Sequence, residues 1–209
     1  MAYEQPRYEV LWSYEGFELR HYMPYIVAEA VVTGDFEAVG NQAFGILAGY
    51  INGKNRRKEE IAMTAPVNQS PVMDSGEKIA MTAPVIQTPQ GNMGDTYVFS
   101  FMMPSKYTLD TLPRPADPRI SLRQIEGRLM AARTYSGTWS AQRYKRNEAV
   151  LLQAVEAAGL HPVGAPVFAR YNSPFTLWFL RRNEVLVEIR SDHAAQPGAA
   201  GDEPQAARP

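Results

Sequence analysis

Few side chains in this 209-residue chain are equipped for covalent chemistry. Cysteine is absent, which removes disulfides, thiolate nucleophiles, cysteine-held zinc or iron–sulfur centres and thioether attachment of a prosthetic group. The sequence has no nucleophile set beside a base, no paired-carboxylate signature, no phosphate-cradling loop and no helical two-histidine metal motif. Glu59-Glu60 reads as a solvated pair ahead of a strand. Glu184 is more informative. Along the last predicted strand Val185, Val187 and Ile189 share one face, while Arg182, Glu184, Leu186 and Glu188 share the other. That alternation points Glu184 either into a cleft, where a buried carboxylate attracts a cationic ligand, or into a surface ion pair with Arg181 or Arg182. The residue types therefore favour binding over turnover.

Composition narrows what is bound. A net charge of -1 and a pI near 6.3 offer no concentrated basic surface for neutralising phosphates, so DNA and RNA are not expected partners. The N-terminus shows no basic stretch followed by an apolar run, and no segment approaches bilayer-spanning length. The expectation is a soluble, cytoplasmic protein. With 45% apolar residues the chain can bury one full-sized core, which predicts a single domain over residues 1–190. Residues 191–209 lack any large apolar side chain and are expected to form a disordered tail, because too little surface is buried to offset ordering entropy.

Two repeats set the elements that position these residues. Ile61-Ala62-Met63-Thr64-Ala65-Pro66-Val67 recurs unchanged as Ile79-Ala80-Met81-Thr82-Ala83-Pro84-Val85. Ile, Met, Ala and Val alternate in each copy, which predicts two neighbouring strands joined by a hairpin with a polar tip over Asn68–Lys78. The proline in each copy marks an edge, a bulge or a strand end. A weaker repeat appears at an offset of 103: Phe17-Glu18-Leu19-Arg20 lies over Ile120-Ser121-Leu122-Arg123, Ala28 over Ala131, Gly34 over Gly137 and Phe36 over Trp139. Both copies run into a helix. The first is expected over Asp35–Ile51 with Asp35 as N-cap and Gly53 as stop, the second over Thr138–Ala158 with Gly159 as stop and Val150, Leu151, Leu152 and Val155 as its apolar stripe. Later strands are expected at Tyr97–Met103, Val167–Tyr171 and Asn183–Ile189. This order reads as α+β, a mainly antiparallel sheet with helices on one face and the other face curved. A pseudo-two-fold duplication of that kind leaves a cleft at the seam between halves, a common place for a ligand.

Several separated motifs then carry a family resemblance. Gly53-Lys54-Asn55 leads into a Met-Thr-Ala-Pro-Val segment. Phe101-Met102-Met103-Pro104-Ser105 follows, with Leu112-Pro113-Arg114-Pro115 after it, and Arg181-Arg182-Asn183-Glu184-Val185 stands near the end. In that order, over about Tyr8 to Ile189, the sequence resembles the SOUL haem-binding family. The resemblance implies a distorted antiparallel β-barrel built from two related ββαβ(β) halves with two flanking helices, similar to bacterial effector-binding domains. It also implies reversible, non-covalent binding of haem b or another porphyrin in a hydrophobic cleft. Mapped by motif, the cleft falls at the helix carrying Phe44 and Leu47, the first Met-Thr-Ala-Pro-Val copy, and Asn172-Ser173-Pro174-Phe175.

A porphyrin is an apolar plate with two carboxylates, so such a cleft needs aromatic and methionine walls with cations at its rim. Phe44, Leu47, Met63, Met81, Pro174, Phe175 and Trp178 fit the walls, and ordinary core packing accounts for the same residues. Lys54, Arg56 and Arg57 fit the rim, and a solvated loop accounts for them equally. Glu184 would meet a pyrrole nitrogen. For axial ligation His21 is the best-placed imidazole, sharing a strand face with Phe17 and Leu19, where a satisfied core histidine is the competing reading. His161 precedes Pro162 in a loop and His193 belongs to the tail. Met63 and Met81 bring thioethers that also pack as core. Three functions fit: a tetrapyrrole carrier, buffer or sensor; a small-molecule effector module acting through protein contacts; and, last because no acid–base pair announces itself, an enzyme acting on haem.

Overall fold

The computed structural model describes residues 4–35, 38–56, 77–89, 96–172 and 176–190. In chain order the elements are β1 (Tyr8–Tyr14), β2 (Phe17–Tyr22), β3 (Tyr25–Thr33), α1 (Val39–Ile51), β4 (Asn55–Arg56), β5 (Val85–Pro89), β6 (Thr96–Met102), β7 (Arg114–Pro115), β8 (Ile120–Ile125), β9 (Arg128–Tyr135), α2 (Ala141–Ala157), β10 (Pro162–Arg170), a 3-10 turn (Trp178–Leu180) and β11 (Asn183–Ile189). The first heptapeptide, most of the proposed hairpin tip and the tail 191–209 lie outside the described residues, as do Arg57, Met63, Pro174 and Phe175.

Nine strands pair antiparallel in the order β1-β2-β9-β11-β10-β5-β6-β3-β8, and β4 and β7 form a separate small ribbon. The architecture is α+β, but the expected barrel is corrected to an open sheet whose two edges are β1 and β8. Closure would require those edges to pair. Instead β1 is exposed along most of its length and is broken by a bulge between Val10 and Trp12.

Strand alternation then sorts the side chains onto two faces. Ala28, Ala30 and Val32 of β3 and Phe99 and Phe101 of β6 meet Ala43, Leu47, Tyr50 and Ile51 of α1. On the same side of the sheet Phe17, Leu19, Ala131, Phe168, Val185 and Val187 pack against Tyr144, Leu151 and Val155 of α2. Both helices thus cover one face. The other face carries Tyr22, Met130, Ala132, Ala169, Tyr171 and Leu186.

The 103-residue offset reappears in the element bounds. Phe17–Tyr22 and Ile120–Ile125 are both strands, and Gly34 and Gly137 both adopt positive φ, +147° and +123°, shortly before a helix. Only a residue without Cβ takes that conformation without strain. The helices begin later than the sequence suggests. Asp35 does not cap α1; its carbonyl accepts from Val39 N, and the N-cap position is Ala38 with no side-chain cap. In α2 the cap is Ser140, whose Oγ accepts from Arg143 N, and Val150 is exposed rather than part of the buried stripe. The second heptapeptide is also corrected. It is no continuous strand: Ile79 and Ala83 are buried, Met81 points outward at 37% exposure, and only Val85 enters β5. Two constraints break the alternation, a bridge between Glu4 and Thr82 and a hydrogen bond from Thr82 Oγ1 to the Met102 carbonyl.

Leu47 is fully buried between α1 and the sheet. Leu47→Ala is expected to destabilise the fold by about 2–5 kcal/mol in urea unfolding, through lost transfer energy and the cavity left behind.

Candidate functional site

On the helix-free face, β2, β9, β11 and the chain between β10 and β11 bring together five polar side chains, Arg20, Thr134, Glu184, Tyr171 and Arg182. Glu184 has no solvent-exposed surface and Arg20 only 3%. Arg20 Nη1 donates to both Glu184 carboxylate oxygens at 3.1 Å, Arg182 Nη2 donates to Oε1 at 2.7 Å, Thr134 Oγ1 to Oε1 at 2.9 Å and the Tyr171 hydroxyl to Oε2 at 2.6 Å. Arg20 is itself held by Glu18, by the Tyr22 hydroxyl and by stacking over the Tyr8 ring. Burial by itself raises the Glu184 pKa. Arg20, the Tyr171 hydroxyl and Arg182 outweigh it and hold the carboxyl below its ordinary value. Burial, then the Glu184 charge, pushes the Tyr22 phenol up to about 12 and Tyr171 higher still.

Glu184 is therefore neither a surface ion pair nor an open cation site. Its pairing with Arg182 is as the sequence suggested. Arg20, which the sequence reading did not connect to it, takes the place an incoming cation would need, and the space beside this network is small. A void of about 20 Å³ sits among Tyr22, Met130, Val167, Tyr171 and Leu186.

The usable space opens next to it. Sharing Pro6 and Tyr25 with that void, a cleft of about 570 Å³ runs between the N-terminal segment and the end of β6, walled by Met23, Tyr25, Ile26, Met102, Met103 and Tyr107. Its size suits a drug-sized ligand. Backbone bonds fix the walls: Met23 N donates to Arg7 O, Met103 N to Ile26 O, and Ser105 N to the Glu4 carboxylate. Of the residues assigned from sequence, none of the described ones lines it. Leu47 belongs to the core under α1, and Phe44, half-buried, sits edge-on to Phe101 on the helix side. Lys54 and Arg56 border a shallow depression with Asp117 and Arg119. Trp178 is exposed on the 3-10 turn. His21 shares the α2 face with Phe17 and Leu19, as expected, and that is the face opposite Arg20 and Tyr22. A signal for this cleft's lining did exist: Met102-Met103-Pro104-Ser105 was legible as a motif, but nothing in it tells which cavity it borders.

A carboxylate whose folded pKa is depressed stabilises the fold fully above its unfolded value, about 4.3, and that contribution is lost as pH falls through the folded value. Glu184→Gln removes the buried charge partner of Arg20 and Arg182 and leaves Arg20 only the more exposed Glu18. It is expected to cost about 3–5 kcal/mol at neutral pH and to flatten the acid limb of a stability–pH profile measured by urea unfolding.

Comparison with known proteins places this geometry. The family model described as SOUL heme-binding protein matches residues 3–188. Heme-binding protein 2 of Mus musculus is 28% identical over 189 residues, covering 83% of this chain and 82% of that protein. Its Homo sapiens counterpart is 27% identical over 182 residues with the same coverage. Among solved structures the EcmrR C-terminal domain superposes with a TM-score of 0.57 at 12% identity, covering 88% of this chain and 98% of that one. A hydrolase from Listeria innocua gives 0.54 at 14% identity, covering 83% and 91%; both likenesses concern the fold. With a family match running from the first strand through nearly all of the last, the chain belongs to the SOUL heme-binding protein family.

Proposed function

We propose that this protein binds haem or a related tetrapyrrole reversibly and without covalent attachment, as a carrier, buffer or sensor, and that the 570 Å³ cleft holds the macrocycle. The observation that carries this reading is that Phe101–Ser105, one of the motifs by which the chain resembles its family, runs into the cleft wall through Met102, Met103, Pro104 and Ser105. Flat, polarisable walls suit a porphyrin: Met23, Met102 and Met103 supply thioethers, Tyr25 and Tyr107 supply rings, and Arg7 borders the cleft as a partner for a propionate.

His21 is not among the residues that line the cleft, and the thioethers and rings that do line it suit the plate of the macrocycle. When bound, haem would supply its own iron chemistry; the residues of this chain enclose the ring, exclude water from it and orient its carboxylates. For the effector reading, Glu184 is no anchor for a cationic ligand, since Arg20 and Arg182 already pair with it. The scaffold itself we read as a duplication. In support, the sheet order from β2 to β8 is unchanged when β2 is exchanged with β8, β9 with β3, β11 with β6 and β10 with β5.

Haemin titration followed at the Soret band tests the proposal. The wild type is expected to give a saturable shift, His21→Ala the same shift, and the double variant Met23→Glu/Tyr25→Ala about tenfold weaker binding or worse, from a buried charge and a lost wall. No shift in the wild type removes the tetrapyrrole reading. Undiminished binding in the cleft variant, with loss on neutralising Lys54 and Arg56, moves the ligand to the helix face.

A further inference from the structure

One arginine beside the proposed cleft has a donor edge that nothing among the described residues uses. Arg128 opens β9 directly opposite Tyr22 of β2, so both side chains leave the sheet on its helix-free face. Its Nη1 donates to Glu188 Oε2 at 3.2 Å, and the Glu188 side chain is 41% exposed, so water screens this pair and it holds the guanidinium weakly. Arg128 makes no other hydrogen bond among the described residues, and its Nε is shut off from solvent without a partner. The Nε and Nη2 protons share one edge of the planar group, which makes that edge a rigid fork for the two oxygens of a carboxylate. A buried donor left without an acceptor costs free energy, and an arriving acceptor recovers it.

Space lies beside this edge of the sheet. Arg128 borders the void of about 20 Å³ together with Tyr22, Tyr25, Met130 and Leu186, and a space of that size takes one small group. Pro6 and Tyr25 stand in the walls of both the void and the 570 Å³ cleft. The turn between β8 and β9 is pressed against the same wall. A Cβ on Gly127 would stand 3.3 Å from the Tyr22 carbonyl oxygen and 3.5 Å from Cδ of Pro24, a cleft residue. Glycine at this position lets the turn lie close to the cleft, with Arg128 next in the chain. The neighbours around the void have other engagements: the Tyr22 hydroxyl is bonded to Arg20 and the Tyr171 hydroxyl to Glu184, while Met130, Val167 and Leu186 bring only apolar or weakly accepting side chains.

We infer that Arg128 is a carboxylate-binding residue of the cleft: its Nε/Nη2 edge grips one acid group of the bound macrocycle where the cleft meets the void, and so selects tetrapyrroles whose side-chain acids are free. The inference rests on the tetrapyrrole reading of the cleft and adds an orientation to it. One acid-bearing edge of the ring is turned toward Tyr25 and Pro6, and the rest lies along Met102, Met103 and Tyr107. Arg7 remains as the partner of a second carboxylate.

Parallel titrations with haemin and with haemin dimethyl ester, followed at the Soret band, test the assignment. In the wild type the free acid is expected to bind at least about tenfold more tightly than the ester. Arg128→Met keeps an apolar stem without donors. It is expected to weaken haemin binding about tenfold and to leave ester binding unchanged, so that the preference shrinks by that factor. Arg128→Lys restores the charge without the fork and is expected to fall between the two. If Arg128→Met does not fold, as judged by its thermal unfolding without ligand, Arg128→Lys carries the comparison. A wild type that binds both compounds equally, equal losses for haemin and ester in the variants, or no loss for haemin, overturns the role of Arg128 and leaves the tetrapyrrole reading standing. Absence of a Soret shift in the wild type with either compound removes the reading and the assignment together.

Discussion

The ion pair between Arg20 and Glu184 is the constraint on which the helix-free face depends. Two charges almost fully removed from water persist only when each is matched, and here the match spans strands far apart in sequence. Arg20 comes from β2, Thr134 from β9, Glu184 from β11, and Tyr171 from just after β10. The network fixes the lateral order of one half of the sheet at its centre, because a slip of one residue in any strand would turn its member to the helices. Apolar burial alone does not enforce that register so sharply.

The same network decides where a ligand can go. By filling the middle of the face with arginine, glutamate and tyrosine, it leaves only a small void at the seam and moves the accommodating space sideways, to the cleft behind Pro6 and Tyr25. That cleft is closed by the N-terminal segment, which bridges to Thr82 and whose Glu4 carboxylate accepts from Ser105 N. On the helix side Arg170, half-buried, stacks over Phe168 and Trp139 and donates to Gln87.

Much of the fold was legible. Apolar periodicity located β11 at its observed bounds and both helices to within a few residues, because their buried stripes repeat regularly against a single layer. Other elements were misread where tertiary contacts override a local pattern. The second heptapeptide alternates like a strand, yet Met81 turns outward because Thr82 is held by both Glu4 and Met102. Val150 fits a helical stripe and is exposed because α2 meets the sheet along Tyr144, Leu151 and Val155.

For function, the motifs standing in family order were legible in the residues alone and point to the family to which the chain belongs. Strand alternation also separated His21 from Arg20 and Tyr22, because neighbouring side chains on a strand point to opposite faces. Only the tertiary structure decided where the cleft opens and that Glu184 is already neutralised. Those facts depend on which strands become neighbours, and Arg20 and Glu184, 164 positions apart, carry no local signal of their meeting.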